Sequence, residues 1–403
     1  MLIVMKFGGT SVANAERIFN VANRIVDSYR KGNKLIVVLS AQGDTTDELI
    51  EKANEINPDA SKRELDMLLS TGEQQSVALM AMALQKLGVP AVSLNAQQCG
   101  IFSTSTHSNA RIKNIATERI SKELDAKNIV VITGFQGVDR NDDITTLGRG
   151  GSDTSAVALA AKLNADLCEI YTDVDGVYTS DPRIVKSARK LSVIGYDEML
   201  ELASLGAKVL HNRSVELAKK YNVNLVVRSS LTNDEGTIVK EESALEKMLV
   251  NGVAVDKDVA RIAVCNLKDE PGIAFAIFSI LAKNKVSVDI ILQSIGRKNT
   301  KDISFTVAAG DLSEALKILE ENKQRLGYSE ILHDEEVAKV SIVGGGMATN
   351  AGVAASMFEA LYNEGINIKM ISTSEIKISV LVSEKDADRA ANAVHEKFIF
   401  NEK

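Results

Sequence analysis

Six short apolar runs recur along the N-terminal part of the chain, at 2–7, 35–40, 89–94, 129–133, 167–172 and 223–228. Runs this short and this apolar read as strands covered on both faces, and the helical periodicity between them supplies the cover. The helix expected over 14–30 shows that periodicity most plainly, with Ala15, Ile18, Phe19, Ala22, Ile25, Val26 and Tyr29 on one face. The alternation predicts an α/β fold, a three-layer αβα sandwich around a largely parallel sheet. Ligands in such sheets bind outside the carboxyl ends of the strands. Lys6, Ser40, Gly134, Phe135 and Asp173 stand at those ends.

Two glycine turns punctuate the pattern. The first, Lys6-Phe-Gly-Gly-Thr-Ser11, places a lysine at the end of the first strand, just before two glycines. That order suits a phosphate-binding strand–helix junction, but the Walker A spacing is missing. The second is Thr145–Ser155, where Gly148, Gly150 and Gly151 surround Arg149 and precede Ser152 and Asp153. Glycines let backbone N–H groups approach an anion, and a guanidinium fork matches a carboxylate or phosphate. A helix is expected over 154–163 with Ser152 or Asp153 as its N-cap. Asp44–Asp47 can cap another helix, and a long helical region covers 62–87.

The length of 403 residues exceeds one domain, and a polar connector after Asn233 sets a boundary near 245. Beyond it the chain repeats itself. Val286–Ser294 matches Ile366–Ser374 at an offset of 80 residues, and Pro271-Gly272 matches Ala351-Gly352. The domains expected are therefore 1–245, 246–335 and 336–403, with the last two open to interlacing. The triple glycine at 344–346 falls inside the second repeat and lacks the dinucleotide fingerprint. A net charge of -7 and the absence of Trp argue against nucleic-acid binding. No apolar run is long enough for a membrane span, and the N-terminus lacks the basic region of a signal peptide. Cys99, Cys168 and Cys265 are scattered, which fits a reducing cytoplasm and shows no metal-ligand spacing. The four histidines show no pairing, and His211 reads as structural.

Lys6–Ser11, Gly148–Asp153 and Tyr171–Arg183, in that order and followed by the repeat, resemble the aspartokinases, amino-acid kinases with a C-terminal pair of ferredoxin-like ACT domains. The resemblance covers the whole chain. It implies a phosphotransferase that uses ATP, with Mg²⁺ carried on the nucleotide, to phosphorylate the β-carboxylate of L-aspartate. That step opens lysine, threonine and methionine biosynthesis. It implies catalytic roles for Lys6, Asp153 and Lys208. Lys6 bridges phosphoryl oxygens, and Lys208 lies near the ATP phosphates or base. Asp153 orients Lys6, holds a metal through water, or only caps its helix. Phe7, Gly8, Gly9, Thr172, Asp173, Tyr178, Asp181 and Arg183 join the nucleotide set. Ser40, Thr46, Glu73, Arg149, Gly150, Gly151 and Ser152 form the aspartate set, in which Arg149 meets a carboxylate and Glu73 the ammonium group. No dedicated metal site is implied. The ACT pair implies feedback by lysine, threonine or both, at Val288, Asp289 and Gln293 in one copy and Val353, Asn367, Ile368, Ser374 and Glu375 in the other. It also implies a homodimer or higher oligomer through the ACT sheets. The competing reading is a non-catalytic amino-acid sensor that keeps the kinase fold as a scaffold.

Overall fold

The computed structural model describes residues 1–205, 209–241, 249–294, 299–347 and 350–400. Its contacts divide it into two units. Residues 1–178, 190–204 and 209–241 make the first, and residues 179–189 together with those from 249 onward make most of the second.

The first unit is built on an eight-stranded sheet. At its centre, in spatial order, run Leu225–Ser229, Leu167–Thr172, Leu2–Phe7, Lys34–Leu39, Ile129–Thr133 and Ala91–Leu94, all parallel. Thr237–Lys240 adds antiparallel to Leu225–Ser229, and Val193–Gly195 closes that edge. Parallel strands need crossover helices on their faces, so the central strands are mostly apolar, with Lys6, Lys34, Glu169 and Arg228 as their charged residues. The helix Ala15–Arg30 buries Ile18, Val21, Ala22, Ile25 and Val26 against the face that carries Ile3, Met5 and Phe7. Asn14 starts it, accepting the Arg17 N–H. Full burial of each large aliphatic side chain contributes about 1.5–3 kcal/mol, and together these fix the helix on the sheet.

Two strands are shorter than their apolar runs. Pro90 has no N–H to give, so the 89–94 run pairs only over Ala91–Leu94. The 223–228 run begins pairing at Leu225, because Val223 still donates to Ala218 in the close of the preceding helix. A second sheet in the same unit joins Ile112–Ile115, Ile101–Ser103, Gln136–Val138 and Ile144–Thr146. It delivers the chain to the Gly148–Gly151 turn.

The second unit holds two four-stranded antiparallel sheets covered by helices, one strand more per sheet than the repeat itself suggests. One contains Ile291–Gln293, Thr300–Val307, Ala260–Lys268 and Glu330–Asp334, in that spatial order. The other contains Gly252–Asp256, Val337–Val343, Lys377–Ser383 and Met370–Thr373. Gly252–Asp256 thus precedes the first sheet in sequence but pairs into the second. Each first helix, Ile273–Lys283 or Val353–Asn363, starts from a left-handed glycine, Gly272 at φ 96° and Gly352 at φ 93°. Gly344 closes onto the Ile376 carbonyl, so the triple glycine is a connection within this sheet.

The segment 179–189 interrupts the first unit in sequence and packs into the second. Val185 is fully buried in the core formed with Val340, Val380 and Val394. The Thr179 carbonyl accepts the Val253 N–H, its hydroxyl lies 2.9 Å from Nε2 of the buried His395, and Asn392 donates to the Ile184 carbonyl.

Candidate active site

The carboxyl ends of four neighbouring strands lie level. Phe7 is in register with Leu39 and Tyr171, and Leu39 with Thr133. Side chains alternate across a strand, so Met5 and Phe7 face the helix Ala15–Arg30 while Lys6 faces the opposite layer. The opposite layer here is the helix Gly151–Lys162. Asp153, in its first turn, brings Oδ1 to 2.7 Å from Lys6 Nζ, and both side chains are only about an eighth exposed.

The helix starts earlier than the sequence suggests. Gly150 is its N-cap, in the left-handed region at φ 67°, and neither Ser152 nor Asp153 caps it. Gly148, at φ 78°, turns the chain so that the Gly151 N–H reaches the Gly148 carbonyl at 3.0 Å. The helix is thereby nucleated before Ser152, and the Asp153 carboxylate is moved from a capping position to one facing the sheet. Ser152 packs on Gly134, where an added Cβ would lie 2.5 Å from its Oγ. Arg149 lies exposed on the turn, with no ion-pair partner among the described residues.

Glu73 arrives from the long helix Lys62–Lys86. At Gly72 a Cβ would lie 2.8 Å from that of Ala41, so the helix presses directly on the loop that follows the Lys34–Leu39 strand. Glu73 Oε1 accepts the Ala41 N–H at 3.1 Å, while Oε2 is buried without a partner. The residue is 3% exposed. Burial raises its pKa to about 7, against the lowering effect of its own and the Ala41 backbone N–H and of the Gln136 side chain. Ser40 lies in the same loop, and Thr46 in the first turn of the helix Thr45–Ile56 that follows it. Lys6, Asp153, Ser152, Ser40, Thr46 and Glu73 therefore line one rim.

Of the nucleotide set, Phe7 stacks on Tyr171 with centroids 4.5 Å apart. The Gly8 amide is donated to the Tyr171 carbonyl at 3.4 Å, and Gly9 follows in the same turn. Thr172 donates to Asp173, and Tyr178 to Asp175, which also holds Lys190 at 3.1 Å. Asp181 and Arg183 belong to the segment that packs with the second unit, where Arg183 Nη2 lies 2.7 Å from Asp181 Oδ2. Lys208 lies outside the described residues.

Two residues not singled out from the sequence, Asp66 and Arg213, brace the glycine turn together with His211. Asp66 is fully buried and accepts from the Ser108 and Thr146 N–H groups and the Thr146 hydroxyl at 2.7–2.9 Å, with His107 Nδ1 at 3.1 Å. It lies two turns before Glu73 on the same helix, a spacing visible in the sequence. Arg213 donates to the Leu147 and Ala110 carbonyls. His211 packs so closely on Gly150 that a Cβ there would lie 2.1 Å from the ring, which gives it a structural role. His107, Asp139 and Asp143 bring ligand-type atoms within 4.8 Å of one another. Asp139 is committed to the Asn141 and Asp143 N–H groups, and Asp143 to Arg63.

In the second unit, Val353 is core and Val288 packs against the core. Asn367, Ser374 and Glu375 are exposed, and Ile368 is half-buried. Gln293 ends an edge strand. Asp289 is engaged by Lys339, with Nζ at 2.6 Å.

A lysine–carboxylate pair at level strand ends, a glycine turn leading into a helix, and a buried carboxylate facing that rim define an α/β phosphotransferase of the kinase type. The sequence profile of the amino acid kinase family matches residues 1–229, and that of the ACT domain matches 262–322 and 340–398. An aspartokinase of Bacillus sp. (strain MGA3) is 53% identical over 398 residues, spanning 98% of this chain and 97% of that one. The structure of E. coli aspartokinase III with aspartate and ADP (R-state) superposes with a TM-score of 0.83 at 26% identity, over the full length of both chains. The same enzyme with lysine and aspartate (T-state) gives 0.80 at 25% identity, over 99% of each. The chain belongs to the amino acid kinase family, among the aspartokinases that carry C-terminal ACT domains.

Proposed function

We propose that the chain transfers the γ-phosphoryl group of ATP to the β-carboxylate of L-aspartate, giving 4-phospho-L-aspartate and ADP. The observation that carries this reading is the unpartnered, buried Oε2 of Glu73 on the rim that also holds the Lys6–Asp153 pair. An α-ammonium group gives that oxygen a cation, and an acetylated amine gives it only a neutral N–H. E. coli aspartokinase III, solved with aspartate and ADP, supports the same pair of ligands.

The β-carboxylate has a reference pKa of about 3.9 and is ionised at pH 7, so the nucleophile needs no general base. Its oxygen forms the new bond to Pγ as the bond from Pγ to the ADP oxygen breaks, and no proton moves. The barrier is the approach of two anions. Lys6, poised by Asp153, draws the phosphoryl oxygens, and Arg149 holds the α-carboxylate. Asp153 and Asp173 offer oxygens suited to a hard cation through water but too few for a protein cage, so Mg²⁺ travels with ATP and neutralises its charge. Thr172, Asp173 and Tyr178 contact the nucleotide, as do Asp181, Arg183 and Lys208 by resemblance.

In this reading the enzyme works in the cytoplasm at the head of lysine, threonine and methionine synthesis. Lysine or threonine binds the ACT pair, which also dimerises two chains. Lysine in the T-state structure of the E. coli enzyme supports the first of these. Trapping the acyl phosphate with hydroxylamine tests the reaction. ATP-dependent hydroxamate from L-aspartate, with none from N-acetyl-L-aspartate, is expected. Turnover of the acetylated compound, or none of aspartate, overturns it. Lysine or threonine binding without turnover identifies a sensor.

A further inference from the structure

A cavity of about 530 Å³ opens between the helix Gly151–Lys162, the strand Ile112–Ile115 and the helix Asn212–Tyr221, all in the first unit. Its volume is that of a small-molecule site. Thr154, Ala158, Ala161 and Lys162 line it from one face of the helix, whereas Val157 and Ala160 are buried. The cavity thus shares the helix that carries Asp153 but not the rim that Asp153 faces.

Its charge is out of character with a protein of net charge -7. Arg111, Lys113, Lys162, Arg213 and Lys220 line it, with Glu216 as the one carboxylate among the lining residues. Among the described residues none of these five cations has an ion-pair partner. Lys162 donates to the neutral Asn114 amide oxygen at 3.1 Å, Arg213 donates to carbonyls, and Lys220 lies over the Tyr221 ring. Lys6, Lys190, Lys339 and Lys369, by contrast, each meet a carboxylate within 3.1 Å. Burial, and then the charge of Arg111, lower the Arg213 pKa below the ordinary guanidinium value. Unneutralised cations around an open space repel one another and are relieved by an anion.

The surroundings narrow the ligand. Ammonium and guanidinium groups arriving from three elements suit a group with several acceptor oxygens in different directions, as a phosphoryl group has. Ile112, Leu217 and Tyr221 leave an apolar wall for an organic body. Arg213 is both wall and brace, because the same guanidinium holds the Leu147 carbonyl at the start of the glycine turn.

We propose that this cavity is a second anion site, for a small phosphorylated molecule, and that its occupancy is felt at the Gly148–Gly151 turn through Arg213. The binding half is independent of which amino acid the kinase phosphorylates.

The full-length chain is titrated with inorganic pyrophosphate by calorimetry, with ADP and L-aspartate saturating so that the catalytic rim is filled. One pyrophosphate per chain is expected. Lys113→Glu with Lys220→Glu weakens it by about tenfold or more, and the paired Lys→Arg changes keep it. Without anion, Lys113→Glu raises the melting temperature, because it relieves repulsion. At saturating ATP, pyrophosphate shifts the aspartate KM by about twofold or more in the wild type but not in the double variant. Should the double reversal not fold, Lys113→Gln with Lys220→Gln serves the same comparisons. Equal pyrophosphate binding by wild type and variant, or no binding at all, overturns the site. Binding with an unmoved KM overturns the role given to Arg213.

Discussion

Two carboxylates, one in each unit, are assigned in the proposed reading to receive an amino group, and they are prepared in opposite ways. Glu73 is 3% exposed, and one of its oxygens has no partner. Asp289 is about half exposed and already has a cation, since Lys339, itself 5% exposed, reaches it at 2.6 Å and Asp256 at 3.2 Å. The first group carries an unmet demand that a ligand satisfies. The second is met from within the chain, so in the proposed reading an effector's ammonium must displace Lys339 before it gains anything. A substrate site of the first kind binds through direct complementarity. A site of the second kind binds weakly and changes the protein as it does so, which suits regulation. The repeat sharpens the contrast. The position equivalent to Asp289 is Lys369, which reverses the charge and meets Asp334 at 2.8 Å. The two ACT copies share a fold, while their charges at this position are exchanged.

The largest expected effect lies at the catalytic rim. Lys6→Met lowers kcat by about 10²–10³-fold, the cost of losing one preorganised donor to a developing phosphoryl charge. Steady-state kinetics checks it, and a drop below threefold removes Lys6 from the mechanism. Glu73→Gln comes next. It raises the aspartate KM by about 10–100-fold and leaves the ATP KM nearly unchanged, as loss of a charged hydrogen bond predicts. An effect on the ATP KM instead would break the contrast with Asp289.

The pH dependence follows from the pKa of Glu73, raised to about 7. Only its ionised form receives an ammonium, so the aspartate KM rises by about tenfold for each pH unit below 7, and Glu73→Gln abolishes that slope. The sign for stability is opposite. A folded pKa above the unfolded value means that the unligated protein is favoured below about pH 4.5 and loses that contribution as pH rises through about 7. The melting temperature of the unligated wild type therefore falls relative to Glu73→Gln over that window, and saturating L-aspartate restores it. Parallel melting curves would remove the buried, unpartnered carboxylate from the account. The smallest effect is in the second unit. Asp289→Asn leaves the nearly buried Lys339 with Asp256 and costs about 1 kcal/mol in denaturant unfolding, whereas Lys369→Met removes a lysine that is itself about a quarter exposed and costs less. Equal costs would erase the asymmetry between the copies.

Much of this is legible in the residues alone. The runs 2–7, 129–133 and 167–172 coincide with observed strands, because a strand buried on both faces admits few polar residues. Lys6 stood out as a charge at the end of such a run. Asp66 did not, since an acid in a helix looks the same whether it faces water or accepts three buried donors. Arg213 was equally silent, because its partners are backbone carbonyls about 66 and 103 residues away. The Tyr171–Arg183 motif reads as one functional stretch, yet it is divided at Tyr178, beyond which Thr179, Val185 and Ile184 pack with the second unit.

The alternation of strands and helices, the two glycine turns and the 80-residue repeat are all written in the order of the residues. Each of these is a local property, fixed by side-chain period or backbone freedom. Which carboxylates already have a cation beside them follows from the packed fold. A partner's distance and the exclusion of water set whether Glu73 waits for a ligand and Asp289 does not, and both depend on chain segments far apart in sequence.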